Sequence, residues 1–173
     1  MFTTIRQPTQ SLRADVVVVG GGCAGVVAAV AAARCGASVT LVEREGTLGG
    51  TSTAVLDTFY GFWSPGEVPR RVVDGLPGEV VARLEQADAA FLRPNTYGAG
   101  MGVTYNPEAL RWLYDAMCHE AGVRVLLHTS LTDVAVSNAR PSALLLTSGS
   151  ELVELETNVA VDASGDAVLA HLA

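Results

Sequence analysis

The sequence predicts an α/β fold with a central parallel sheet, flanking helices and a β-meander. A run of four valines at residues 16–19 is followed by three glycines and an alanine-rich segment that ends at Gly36. This order is typical of a buried strand, a tight turn and a helix. In the last third of the chain, short β-prone segments follow one another between turn residues, which favours a meander.

Length and composition exclude several classes of function. The 173 residues suit one domain, and 49% hydrophobic against 17% charged residues exclude general disorder. The 18 acidic and 11 basic residues give a net charge of -7, with the basic residues scattered, so we do not expect a nucleic-acid partner. Three cysteines without a CxxC spacing predict neither a disulfide framework nor a structural zinc site, and they favour the cytoplasm.

The uncharged residues 16–33 reach the lower limit of a membrane span. The three glycines in their middle favour strand, turn and helix instead, so no membrane span is predicted. Residues 1–13 are polar and predict a flexible lead-in without a secretory signal, and we expect the remaining domain to cover residues 14–173.

The first elements form a β-α-β unit: a strand at residues 15–19, a helix at residues 23–35 and a strand at residues 37–43. Residues from about 52 to 105 predict a loop-rich insertion, with a weakly periodic helix at residues 78–87 and a connecting loop at residues 91–104.

Asn106 and Pro107 are good first residues of a helix, which we expect to end at Gly122. Strands are then predicted at residues 123–128, 131–136, 143–147, 152–156 and 158–161.

The strongest functional pattern is a GxGxxG sequence between the first strand and the helix. Gly20 permits a tight turn, Gly22 lets the backbone approach a pyrophosphate, and Gly25 allows close packing of helix on strand. Glu43 ends the second strand, where an acidic residue binds an adenosine ribose hydroxyl. Together these features predict a Rossmann-like FAD/NAD(P)-binding domain.

A second glycine turn, LGGTST, follows Glu43 and is an addition typical of flavoproteins. With DVVVVGGGCAGVVAAVAAARCGASVTLVER, YNPEALRWLYDAMCHEAGVRVLLHT and VAVDASGDAVLA, it makes four ordered motifs. From Asp15 to Ala173 the chain resembles the FAD-dependent oxidoreductases of the glutathione-reductase-like class, in the branch that includes fumarate reductase flavoproteins.

The resemblance implies FAD as the cofactor and assigns its contacts. The pyrophosphate would meet Gly20, Gly22 and Gly25 together with the backbone amides of Cys23 and Ala24.

The resemblance places the other contacts along the rest of FAD. Glu43 and Arg44 would lie at the adenosine, and Leu131 would contact the adenine through its backbone. The flavin-side phosphate, ribityl chain and pyrophosphate would meet the remaining four residues, Gly50, Thr51, Gly165 and Asp166.

Full-length relatives continue into a substrate domain after the ASGD motif, so the resemblance implies that this chain is truncated before that domain. Without it we expect weak or absent turnover, and self-association or a partner chain through the surface left uncovered. No catalytic residue is assigned, and the dispersed histidines predict no metal site.

Three functions follow from these patterns. The first is the FAD-binding portion of a flavin-dependent oxidoreductase acting on a small organic substrate. The second is an NAD(P)-binding dehydrogenase domain, which would have no use for the second glycine turn. The third is a non-catalytic nucleotide-binding remnant or subunit.

Overall fold

The computed structural model describes residues 7–55, 59–65, 67–94 and 100–173. They form two compact units, the first up to Leu48 and from Met117 onward, the second from Gly49 to Ala116. In chain order the elements are β1 (Gln10–Val19), α1 (Cys23–Arg34), β2 (Val39–Val42), α2 (Thr51–Ala54), β3 (Phe59–Tyr60), α3 (Leu76–Gln86), β4 (Ala90–Pro94), β5 (Met101–Tyr105), α4 (Pro107–Ala121), β6 (Arg124–Leu126), β7 (Thr129–Ser137), β8 (Arg140–Ser148), β9 (Glu151–Asp162) and α5 (Val168–Leu172).

The first unit contains a six-stranded sheet in the order β6-β2-β1-β9-β8-β7. The first four of these strands are parallel, and β9, β8 and β7 form an antiparallel meander. The α/β fold, the parallel sheet and the meander predicted from the sequence are therefore confirmed. Side chains of β1, β2, β8 and β9 meet Leu169 of α5 in a shared core, formed by Ala14, Val17, Val19, Val42, Leu144, Leu146, Val153, Leu155 and Leu169.

Strand β1 begins at Gln10, five residues before the predicted start. It pairs with β2 from Val16 to Val19 and with β9 from Gln10 onward, so it has a partner on both sides. Residues 10–13, expected in the lead-in, are held there because β9 offers ladder partners and Leu12 packs against the core. Gln10 and its partner Val153 are 143 residues apart, so local sequence patterns could not predict this pairing.

The two short strands predicted at residues 152–156 and 158–161 form the single strand β9. Only Thr157 separated the two predicted strands. Thr157 is instead buried, and its hydroxyl donates hydrogen bonds to the backbone oxygens of Asp15 (3.3 Å) and Val159 (2.9 Å). The strand is continuous because this hydroxyl is satisfied inside the sheet.

The second unit contains a three-stranded antiparallel sheet in the order β3-β5-β4. The prediction of a connecting loop over residues 91–104 is wrong for its described part, because β4 and β5 pair from Ala90↔Tyr105 to Pro94↔Met101. Gly102, read as a breaker, lies opposite Arg93 within the ladder. Residues 95–99 lie outside the described residues, and the assignment of 52–105 as an insertion stays a prediction.

The predicted start of α4 is confirmed. The Asn106 side-chain oxygen accepts hydrogen bonds from the amides of Glu108 (2.9 Å) and Ala109 (3.3 Å), which caps the helix. Over the described ranges, the structure contains no helix long and apolar enough to span a membrane.

The core predicts the effect of truncating a buried side chain of β9. Leu155→Ala should lower the free energy of unfolding by about 2–5 kcal/mol, since Leu155 is fully buried between strands. Val159→Ala is the matched control on the same strand, where 52% of the side chain is exposed, and should change it by less than about 0.5 kcal/mol. Urea unfolding followed by circular dichroism measures both, and equal losses would contradict this core assignment.

Candidate functional site

The carboxyl end of β1 leads into a turn that only glycine fits well. Gly20 has φ +102°, and a Cβ there would overlap the carbonyl oxygen of Ala163. Its amide donates to the carbonyl oxygen of Val42 at 2.8 Å, and the amide of Ala163 donates to Val19 at 2.8 Å. The turn is therefore tied to the strand on each side of β1.

Helix α1 begins directly after this turn. Gly22 is its N-cap, and a Cβ built on Gly22 meets nothing within 4 Å. Cys23 and Ala24 are exposed in the first turn, while a Cβ on the buried Gly25 would overlap the carbonyl oxygen of Gly20. The first amides of a helix have no partners within it, so this end presents free donors beside an open backbone.

Glu43 is 94% buried and its carboxylate is held by backbone amides. The amide of Gly21 donates to one oxygen at 2.6 Å, and that of Glu45 donates to the other at 2.7 Å. A Cβ on Gly21 would lie only 2.6 Å from a methyl group of Leu48. Gly21, which received no role from the sequence, therefore positions Glu43; its only sequence signal is that it lies between two motif glycines.

A cavity of about 170 Å³ opens at this end of the sheet. Four predicted site residues line it: Gly20, Glu43, Arg44 and Leu131. The other lining residues, which the sequence did not single out, are Val19, Val42, Thr129, Ser130, Ser164 and Val168. Among these, Thr129 and Ser130 directly precede Leu131. Two neighbouring hydroxyl residues at the start of a strand were therefore the sequence feature that could have identified them.

Thr129 is buried and fixes one side of the cavity. Its amide donates to the carbonyl oxygen of Glu43 at 2.9 Å, and its hydroxyl donates to that of Leu127 at 2.8 Å. The amide of His128 donates to the carbonyl oxygen of Glu45 at 3.0 Å. These bonds fasten the segment before β7 to the segment that carries Glu43.

The ASGD motif lies on another side of the cavity. Gly165 has φ +80° and is exposed, as is Asp166. The Asp166 carboxylate lies 4.0 Å from the Arg44 guanidinium, and both side chains are about two-thirds exposed. An ion pair this exposed contributes little to stability, and both groups face solvent where a ligand could meet them.

Asp162 organises the motif. It accepts hydrogen bonds from the Ser164 amide (3.0 Å), the Ser164 hydroxyl (2.7 Å) and the Ala170 amide (2.9 Å). Burial opposes ionisation of Asp162, but bonds from Ser164, Ala170 and the Leu169 amide outweigh it, so its pKa lies below the ordinary value. The carboxylate is thus the acceptor at the centre of this loop.

Gly50 and Thr51 belong to the second unit, where Gly50 has φ 53° and precedes the four-residue helix α2. The Thr53 hydroxyl donates to the carbonyl oxygen of Gly50 at 3.3 Å. Their place on the flavin side stays a prediction, as do the cofactor contacts of the other residues.

Within the described part of the chain, no three His, Cys, Asp or Glu side chains are grouped so that they could hold a metal ion. Cys23 and Cys35 are exposed, Cys118 is buried, and none of the three forms a disulfide.

The arrangement fits a dinucleotide. A bare backbone at Gly22, free amides at the start of α1 and a cavity beside Glu43 offer surfaces for a pyrophosphate and an adenosine. The sequence pattern of FAD dependent oxidoreductases matches residues 15–173. The chain belongs to this FAD-dependent oxidoreductase family.

Two curated relatives are similar to most of this chain. A thiamine thiazole synthase of Aeropyrum pernix is 32% identical over 135 residues, which cover 78% of this chain and 44% of the relative. A digeranylgeranylglycerophospholipid reductase of Methanothrix thermoacetophila is 30% identical over 165 residues, 89% of this chain and 40% of the relative. The chain therefore spans less than half the length of these two relatives.

A solved structure shows the same fold. The open conformation of a flavocytochrome c3 fumarate reductase superposes with a TM-score of 0.63 at 18% identity, covering 90% of this chain and 34% of the other. The chain thus corresponds to the FAD-binding portion of the oxidoreductase family.

The close approach at Gly25 can be tested in the protein without cofactor. Gly25→Ala should lower the free energy of unfolding by about 1–3 kcal/mol, because the new Cβ would meet the carbonyl oxygen of Gly20. Gly22→Ala, in the same turn, should cost less than about 1 kcal/mol since its Cβ points into open space. Urea unfolding compares the two, and a Gly25→Ala protein as stable as wild type would disprove the close packing.

Proposed function

We propose that the chain binds FAD and serves as the FAD-binding portion of an oxidoreductase that acts on a small organic molecule. The observation that carries the proposal is the open backbone at Gly22, two residues after Gly20, which lines the same cavity as Glu43 and Arg44. The match of residues 15–173 to the FAD-dependent oxidoreductase family supports FAD over other dinucleotides.

In this proposal the start of α1 binds the FAD pyrophosphate. Amides of Cys23 and Ala24 donate hydrogen bonds to phosphate oxygens, and the positive end of the helix dipole lies at the negative charge. Gly22 allows this approach because it places no side chain between backbone and phosphate.

Glu43 accepts a hydrogen bond from an adenosine ribose hydroxyl. Each of its oxygens already accepts one backbone hydrogen bond, and a carboxylate oxygen has a second lone pair for another donor. Because the Gly21 and Glu45 amides fix the carboxylate before any ligand arrives, little conformational entropy is lost when it binds.

The adenine in this proposal lies against Thr129, Ser130 and Leu131, with Arg44 at the open side of the cavity. FAD supplies the redox chemistry by accepting a hydride or electrons from the substrate. The protein binds and orients it.

We also propose a cellular location and a class of binding partner for the protein. Three cysteines without a CxxC spacing support a cytoplasmic location. A net charge of -7 supports a small molecule over nucleic acid as the binding partner.

Gly22→Val should abolish FAD binding while the protein still folds. The added side chain points into open space in the protein itself, where it would occupy the position of the pyrophosphate. The control Cys35→Val places the same side chain at the exposed opposite end of α1 and should leave FAD affinity unchanged. Flavin fluorescence titration measures affinity, and circular dichroism confirms folding.

Normal FAD affinity in folded Gly22→Val protein would rule out the proposed pyrophosphate site. Heat release and chromatography of any yellow cofactor from the wild-type protein identify the dinucleotide directly. Displacement of FAD by NAD at similar concentrations would favour the nicotinamide alternative, and binding of FAD without reduction by any electron donor would favour the non-catalytic one.

A further inference from the structure

We propose that Asp162 is a positioning residue for the cofactor: its carboxylate holds the Ser164 loop and α5 in place, so that Ser164 and Val168 form a fixed side of the cavity. The inference rests on the proposed function for the identity of the ligand. It concerns a residue that does not itself line the cavity.

The carboxylate of Asp162 accepts hydrogen bonds from three donors. One oxygen of Asp162 accepts from the amide and hydroxyl of Ser164, and the other accepts from the amide of Ala170, eight residues along the chain. Ser164 in the loop and Ala170 in α5 are thereby both fastened to the last residue of β9. Hydrogen bonds to a charged acceptor are about twice as strong as neutral ones.

The hydroxyl of Ser164 connects Asp162 to the cavity through two hydrogen bonds. While its hydroxyl donates to Asp162, its oxygen accepts a hydrogen bond from the amide of Val168 at 3.0 Å. Ser164 and Val168 both line the cavity, so two of its lining residues are placed by one chain of hydrogen bonds that begins at Asp162.

The loop needs such an anchor because its local conformation is unfavourable. Ala167, the N-cap of α5, is left-handed with φ 55° and ψ 37°, a conformation that is strained for a residue with a Cβ. Helix α5 has five residues, too few to be stable in isolation. The contacts that compensate are the bonds to Asp162 and the burial of Leu169 in the core.

The loop also sets the position of the glycine turn. The space where a Cβ of Gly20 would lie is filled by the backbone of Ala163 and Ser164. A shift of this loop would therefore reach the end of β1, and with it the turn that begins α1.

The chain provides a matched control. Asp15 accepts hydrogen bonds from the amide (2.9 Å) and hydroxyl (2.6 Å) of Ser38, the same pair of donors that Ser164 offers to Asp162. Asp15 lies four residues before Val19 on β1, about 13 Å from the cavity end of that strand. Asp15→Asn makes the same substitution and weakens the same kind of interaction, since it removes the charge of the acceptor, without touching the cavity.

The first measurement uses the protein without FAD. In Asp162→Asn, amide hydrogen exchange should accelerate about 10-fold or more at Ser164, Val168 and Ala170, because the carboxamide cannot accept from every donor. In Asp15→Asn these amides should exchange as in wild type. Unchanged exchange in Asp162→Asn would overturn the proposal.

The second measurement is the FAD dissociation constant by flavin fluorescence, with protein confirmed as folded. It should rise about 10-fold in Asp162→Asn and in Ser164→Ala, and stay within about 2-fold in Asp15→Asn. If Asp162 has only a structural role, all folded variants should bind FAD with equal affinity. Equal dissociation constants would therefore overturn the positioning role of Asp162 but not the proposed function. Failure of the wild-type protein to bind FAD would overturn the proposed function, and the cofactor role of Asp162 with it.

Discussion

The pairing of β1 with a parallel strand on each side is the constraint on which the rest of the first unit depends. Because β2 and β9 both run in the direction of β1, their carboxyl ends reach the same edge of the sheet. The residues that follow these strands, Gly20, Glu43 and Ala163, are therefore brought together although they are far apart in sequence. Ligand-binding crevices of open α/β sheets lie at this edge, and the cavity is found there.

Close packing at this edge explains its composition. Glycines at positions 20, 21 and 25 each lack space for a Cβ, against Ala163, Leu48 and the Gly20 carbonyl respectively. Gly22 alone in the motif has open space, so packing does not require a glycine there. The open space beside Gly22 and the free amides that follow it are the argument for a ligand at the start of α1.

The sequence could predict what is local and failed where the partner is distant. The β-α-β unit and the Asn106 cap depend on residues that are close in sequence, and the structure contains both. The extension of β1 to Gln10, the continuity of β9 through Thr157 and the β4–β5 ladder depend on partners that no local pattern names. At the site, motif spacing found Gly20 and Glu43, whereas Thr129 and Asp162 act through hydrogen bonds that only the folded chain assembles.

Acidic groups surround the region that is proposed to bind a pyrophosphate, and their negative charge would be expected to repel it. Hydrogen bonds from backbone amides compensate this charge. Both carboxylate oxygens of Glu43 and of Asp162 accept hydrogen bonds from backbone amides, so their charge is compensated within the fold. The start of α1 would then provide the positive potential for the proposed pyrophosphate. The two carboxylates thus shape the cavity on opposite sides of β1, since Glu43 follows β2 and Asp162 ends β9.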